Sequence, residues 1–274
     1  MSRSLLARPL EPLVAISWGV FLIWTAWMAV VWIVPINHHF LKLPLDVPAG
    51  WSSEATSYVE DRPQPPHADL RRAVLVFAQN AELAWLALAL IQLHLAVIST
   101  NGVNTARTWL AIAAGGAFLL GATTRAFGLP FGWMFFSKVL GAQLLGVPLG
   151  WLLLWIVLLI AAREAVLRLH PRAGHILLTS LAAGAVLLTM VNLSPIAENV
   201  RAWWVWHAGD IHQPATAPWW SWIGWFTGAW IMISLMREKS VAAAAASRSV
   251  KPLIILLLLN LAALLTHVRV WFRG

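Results

Sequence analysis

The chain is 274 residues long, 60% apolar and only 11% charged, with a net charge of +8 and no cysteine. A soluble domain carries about 25% charged residues, so this composition excludes an ordinary water-soluble fold. The missing cysteines exclude a disulfide framework, thiolate catalysis and Cys-ligated metal.

Seven apolar stretches separated by polar joints predict the fold; they cover 13–36, 73–98, 108–127, 147–162, 175–196, 218–236 and 252–271. Most approach the ~20 residues that cross a bilayer core as a helix, whereas membrane strands span in about 10 and alternate. In lipid the backbone must satisfy itself, so the expected architecture is an all-α integral membrane bundle of about seven transmembrane helices. We read 1–274 as one transmembrane domain with an external loop at 37–72 and a broken segment at 128–146. The first stretch follows Met1-Ser-Arg-Ser, which looks like a signal n-region, but it is full length, Trp-rich and without a small-residue cleavage site, so it reads as a retained helix.

The second stretch carries Glu82 about ten residues in, with Gln79 on the same face. An ionised carboxylate there costs roughly 3 kcal/mol on insertion scales, so it faces the bundle interior or is protonated. It is either a polar clamp between helices or a buried general acid. The third stretch ends on Arg125, which either snorkels to the surface or pairs with a buried carboxylate such as Glu198. The joint that follows is apolar yet interrupted by Gly128, Pro130, Gly132, Gly141 and Gly146, which oppose a continuous helix. Such a segment at membrane depth is covered by protein or lines a cavity. A short interfacial or re-entrant piece over 133–145 is expected, and the fourth stretch, the shortest, can be extended by Leu144 and Leu145.

The fifth stretch holds Thr189, Asn192 and Asn199 on one face and Ser194 and Glu198 on another, and Pro195 frees the carbonyl near Val191. Glu198 is an interfacial cap or an acid. The sixth stretch lies in the densest part of a chain with 19 tryptophans, including Trp219-Trp-Ser-Trp-Ile-Gly-Trp225. Those rings form an interfacial belt or the wall of a groove for a flat apolar polyene, where their faces stabilise a carbocation. The seventh stretch is nearly featureless and reads as scaffold facing lipid.

Cations set the orientation. Arg3, Arg8, Arg107, Arg163, Arg168, Arg172, Arg237, Lys239, Arg248 and Lys251 fall on one side, against Lys42, Arg62, Arg71 and Arg72 among five acids in the long first joint. The positive-inside rule puts the N-terminus in the cytoplasm and, after seven spans, the C-terminus outside. No basic helix with interleaved aromatics appears, so nucleic acid is not an expected partner. His38-His39 and the group His207, Asp210 and His212 lack metalloprotease spacing, and His94 and His267 each stand alone, so neither metal nor haem is expected, and no cofactor.

Several motifs resemble one family. Thr124-Arg-Ala-Phe-Gly-Leu-Pro-Phe-Gly132, Lys138 through Leu149, Trp155, Ala162-Arg-Glu164, Ser194-Pro-Ile-Ala197, Trp203-Trp-Val-Trp206 and Ser221-Trp-Ile-Gly-Trp-Phe226 resemble the membrane family of carotenoid biosynthesis proteins, whose characterised members are carotenoid 1,2-hydratases of the γ-carotene and bisanhydrobacterioruberin type. The resemblance runs over about 75–236. It implies cofactor-free addition of water to a terminal carotenoid C=C bond in a bacterial inner (cytoplasmic) membrane, with the bilayer and a carotenoid or other long isoprenoid as partners. It also implies acids at two positions held here by Gly121 and Ser194, and a Tyr-rich segment where Trp133-Met-Phe-Phe136 stands. On this basis the candidate catalytic residues are Glu82, Glu198 and Arg125, and the candidate substrate-binding residues are Pro130, Phe131, Trp133, Trp204, Trp220, Trp222 and Trp225. The alternative is a non-catalytic carotenoid-binding or assembly subunit of a larger photosynthetic or biosynthetic membrane complex. A lipid- or quinone-handling scaffold is a third, weaker class.

Overall fold

The computed structural model describes residues 10–33, 77–78, 80–199, 201, 203–206, 218–237 and 248–271. These form seven α-helices: α1 (Leu10–Ile33), α2 (Ala81–Asn101), α3 (Val103–Phe127), α4 (Leu149–Leu169), α5 (His175–Asn199), α6 (Trp220–Leu235) and α7 (Lys251–Trp271). The all-α membrane bundle read from hydropathy is the observed fold. α1, α2, α3, α5 and α7 are each long and apolar enough to cross a membrane, so the chain is an integral membrane protein. α6 has 16 residues, about 24 Å of helix at ~1.5 Å per residue. The external loop, His38-His39, His207, Asp210 and His212 lie outside the described residues, as does Gln79.

α4 is the axis. Every residue from Leu154 to Leu167 is buried, and the helix packs against α2, α3, α5, α6 and α7. A helix apolar all round belongs at the centre of a bundle. It continues past the predicted end at 162 because Arg163, Glu164 and Arg168 find partners inside the protein. α1 lies outside, against α2 and α7, and α5 pairs with α6.

Lipid chains are as apolar as leucine, so close packing and interhelical hydrogen bonds hold such helices together. α6 buries a stripe of small residues that admits bulky neighbours: a Cβ at Gly224 would lie 2.8 Å from the Phe131 ring, and one at Gly228 3.0 Å from Leu120. Between α5 and α7 the amide of Asn192 donates to the Asn260 side chain at 3.1 Å, Asn260 donates to Thr189 at 3.0 Å, and His267 Nε2 lies 2.7 Å from the Asn192 carbonyl. The seventh helix is therefore stitched into the bundle as well as facing lipid.

The broken segment departs from helix, as its glycines and proline require. It contains β1 (Met134–Phe136), a 3₁₀ turn (Lys138–Leu140), β2 (Gln143–Leu144) and β3 (Val147–Pro148). β2 and β3 form a hairpin whose two loop residues, Leu145 and Gly146, both have positive φ (49° and 78°), the backbone twist of a tight hairpin turn. β1 pairs antiparallel with a further strand, β4 (Trp204–Trp206), in the register Met134↔Trp206 and Phe136↔Trp204. This pairing was not expected from the sequence.

Candidate functional site

One end of the bundle gathers the motifs. After α5 the chain turns back: the Arg201 and Trp203 amides donate to the carbonyls of Ile196 and Ala197 at 2.9 and 2.7 Å. That turn directs Trp203 to Trp206 beside the broken segment. Phe131 points inward, fully buried, and stacks on Trp225 with ring centroids 4.5 Å apart. Trp225 stacks in turn on Trp155 at 5.2 Å. Trp151 meets Phe131, Trp155, Trp204 and Trp225 at 5.3–6.0 Å. Each such ring pair contributes roughly 0.5–1.5 kcal/mol beyond its burial. The Pro-Phe-Gly element and the Trp-rich α6 are thus in direct contact.

The expected substrate-binding set divides in two. Phe131, Trp204 and Trp225 are core, while Trp133 and Trp220 are about half exposed at 49% and 46%. Pro130 and Trp222 are partly buried. The exposed rings suit an interfacial belt, and the buried ones make a continuous aromatic cluster. Trp155, which the sequence offers only as a motif residue, and Trp151, both on α4, complete that cluster.

Polar groups inside the cluster are under-satisfied. Among the described residues the indole N–H groups of Trp155, Trp203 and Trp225 and the hydroxyls of Ser194 and Ser221 are buried without a hydrogen-bond partner, whereas the Trp204 indole faces the Glu198 carboxyl group. A buried unsatisfied donor costs about 1–3 kcal/mol, and native proteins keep only a few of them.

Two carboxylates flank the cluster. Glu82, 2% exposed, accepts from the Trp32 indole on Oε1 and from Arg201 Nη2 on Oε2, both at 2.9 Å, and Oε1 also contacts Arg201 Nε. Arg201 Nη2 donates further to the Ala78 carbonyl at 2.9 Å. Glu82 therefore ties α1, α2 and the turn after α5. Trp32 continues into the aromatic row through Trp203 at 6.1 Å, which meets Trp204 at 5.9 Å. Glu198, half-buried at the end of α5, accepts from the Trp206 indole at 2.8 Å. Trp204 and Trp206 share one face of β4, since side chains alternate along a strand. Arg125 is exposed and donates to the Gly146 carbonyl at 3.2 Å, closing the hairpin turn. It makes no contact with Glu198 among the described residues.

Comparison with known protein families matches residues 81–273, more than half of the chain, to a family described as carotenoid biosynthesis protein. The chain belongs to the carotenoid biosynthesis protein family. Searches of curated proteins and of solved structures give no match. The family membership and the membrane-spanning helices fit contact with isoprenoid and with lipid.

The family match leaves out α1, yet α1 supplies Trp32 to Glu82. Of the two positions where the resemblance implies acids, Gly121 has no space for one: a Cβ there would lie 2.8 Å from Val147 Cγ1 and 3.0 Å from the Trp151 indole nitrogen, which is fixed by a 2.9 Å bond to the Ala117 carbonyl. Ser194 is buried one turn before Glu198. The Ala-Arg-Glu element sits at the opposite end of α4. There Glu164 takes Arg163 at 3.1 Å and Arg248 at 2.9 Å, and the Arg163 guanidinium lies 4.0 Å over the Trp109 ring.

Glu82, Glu198 and the rings at 131, 204 and 225 were singled out from the sequence as candidates. Arg201 and Trp32 were not singled out, because a cation just past a helix end and a tryptophan near one both read as interface anchors.

Proposed function

We propose that this family member adds water to a terminal carbon–carbon double bond of a carotenoid, without a cofactor. Glu198 is the residue that carries the reading: a half-buried carboxyl group at the edge of a buried aromatic cluster, faced by the indoles of Trp206 and Trp204 and with no cationic partner among the described residues. In the carboxylic acid form it delivers a proton to the less substituted alkene carbon. The tertiary cation at the neighbouring carbon faces the rings, whose quadrupoles stabilise positive charge. A water molecule attacks that carbon, and its surplus proton returns to the carboxylate, so the sum is alkene plus water giving a tertiary alcohol. Glu82 fits a supporting role better, since both its oxygens are engaged by Arg201 and Trp32. The exposed Trp133 and Trp220, with Pro130 and Trp222, guide the polyene toward the buried rings.

The membrane is the bacterial inner membrane, with the N-terminus cytoplasmic and the C-terminus outside. A second reading, a pigment-holding subunit of a larger complex, draws support from Gly121, where Trp151 takes the space of the implied acid. Expression in a host that accumulates acyclic or monocyclic carotenoids separates the two. The hydratase reading expects a product heavier by one water, reduced at least about 100-fold by Glu198→Gln, in line with loss of a general acid. Folded, membrane-inserted protein that yields no such product overturns it and leaves the subunit.

A further inference from the structure

The unpaired donors at the aromatic end are not scattered. Trp155, Trp225, Trp204 and Trp203 form one row in which each ring meets the next, at 5.2, 6.3 and 5.9 Å. Ser221 lies one turn before Trp225 on the same buried face of α6, and Ser194 lies one turn before Glu198 on α5. Apart from Trp204, whose indole faces Glu198, these groups are five buried donors with no partner among the described residues. A hydrocarbon occupant offers none of them an acceptor. An oxygen atom with two lone pairs does, and a hydroxyl oxygen can also donate to a carboxylate such as Glu198.

We propose that this end of the bundle contains a subsite for a hydrogen-bond-accepting oxygen, whose two lone pairs take donors from among the indoles of Trp155, Trp203 and Trp225 and the hydroxyls of Ser194 and Ser221. The inference deepens the proposed hydration and rests on it for the choice of ligand. The oxygen has two sources, the reacting water and the tertiary hydroxyl of an oxygenated polyene end group. In hydration the first becomes the second, so one subsite serves both. The cluster then has the dual character such a reaction needs: ring faces for the apolar end group and cation, and ring edges for oxygen.

The test is a binding comparison in lipid nanodiscs between an acyclic C40 polyene with hydrocarbon ends and the same polyene with one tertiary terminal hydroxyl, read by quenching of tryptophan fluorescence. A site whose buried groups are built to bond a hydroxyl discriminates strongly against the analogue that lacks it. Wild-type protein is expected to hold the hydroxylated polyene about tenfold more tightly or better. The ratio is expected to fall toward one in Ser194→Ala/Ser221→Ala and, independently, in Trp203→Phe. Absence of a preference together with slower hydration in those variants assigns the subsite to water alone. Absence of a preference with no slowing, or with no hydration to slow, overturns the proposal, as does a preference that survives in both variants. A preference that the variants abolish, in a protein that forms no hydrated product, keeps the subsite and removes the hydratase. Hydrated product with neither preference nor slowing does the reverse.

Discussion

Arg201 brings a charge into a buried place and depends on Glu82 for that position. Breaking such a pair from one side leaves the other charge uncompensated, which costs about 3–5 kcal/mol, whereas replacing both partners by apolar groups of similar volume is often close to neutral. Arg201→Met is therefore expected to destabilise the protein by about 3–5 kcal/mol, and Arg201→Met combined with Glu82→Leu to recover most of that loss. Denaturant unfolding of the purified protein in detergent checks this; if the double variant is as weak as the sum of the singles, the pair is not the coupling unit. Glu82 itself was legible as an interior residue because hydropathy penalises a carboxylate ten residues into an apolar stretch. Its partner was not, since pairing across 119 positions of sequence leaves no local pattern.

Among the elements, α3 and α4 approach closely where Gly121 faces Trp151. Extra volume in a packed interior costs typically about 1–3 kcal/mol, so Gly121→Ala is expected to lower stability by about that amount. Gly121→Asp, which restores the acid implied by the resemblance, is expected to reduce the yield of folded protein and to add no hydration activity. A well-folded Gly121→Asp protein with raised activity contradicts the packing described here. The helices themselves were legible to within about five residues, apart from α4, which ends at Leu169 rather than 162, while the predicted start of the second stretch near 73 lies outside the described residues. Apolar length cannot register an ion network that lets a helix continue. Nor did the sequence reveal β1 and β4. Three-residue strands are too short to display alternation, and Trp203-Trp-Val-Trp206 reads equally as an interface anchor.

For the whole molecule, the two ends of the bundle differ in chemistry. One carries Glu82, Arg201, Glu198 and the aromatic cluster; the other carries Arg163, Glu164, Arg168, Arg248 and Lys251. The basic end is expected to face the cytoplasm. Paired reporters fused in the connection at 170–174 and at the C-terminus check it: the first is expected to signal from the cytoplasm and the second from the opposite side, and a C-terminal fusion active only in the cytoplasm refutes the orientation. The central position of α4 also has a consequence for biogenesis. Synthesis runs from the N-terminus, so the helix that ends at the axis is laid down fourth, before α5, α6 and α7 exist to surround it. Glu164 travels with Arg163 beside it and enters as a self-compensated unit. Its second cation, Arg248, comes from the stretch leading into the last helix. The ion network therefore closes only when the chain is nearly finished, and a ribosome that stalls before Arg248 leaves a bundle whose central helix is still unlatched.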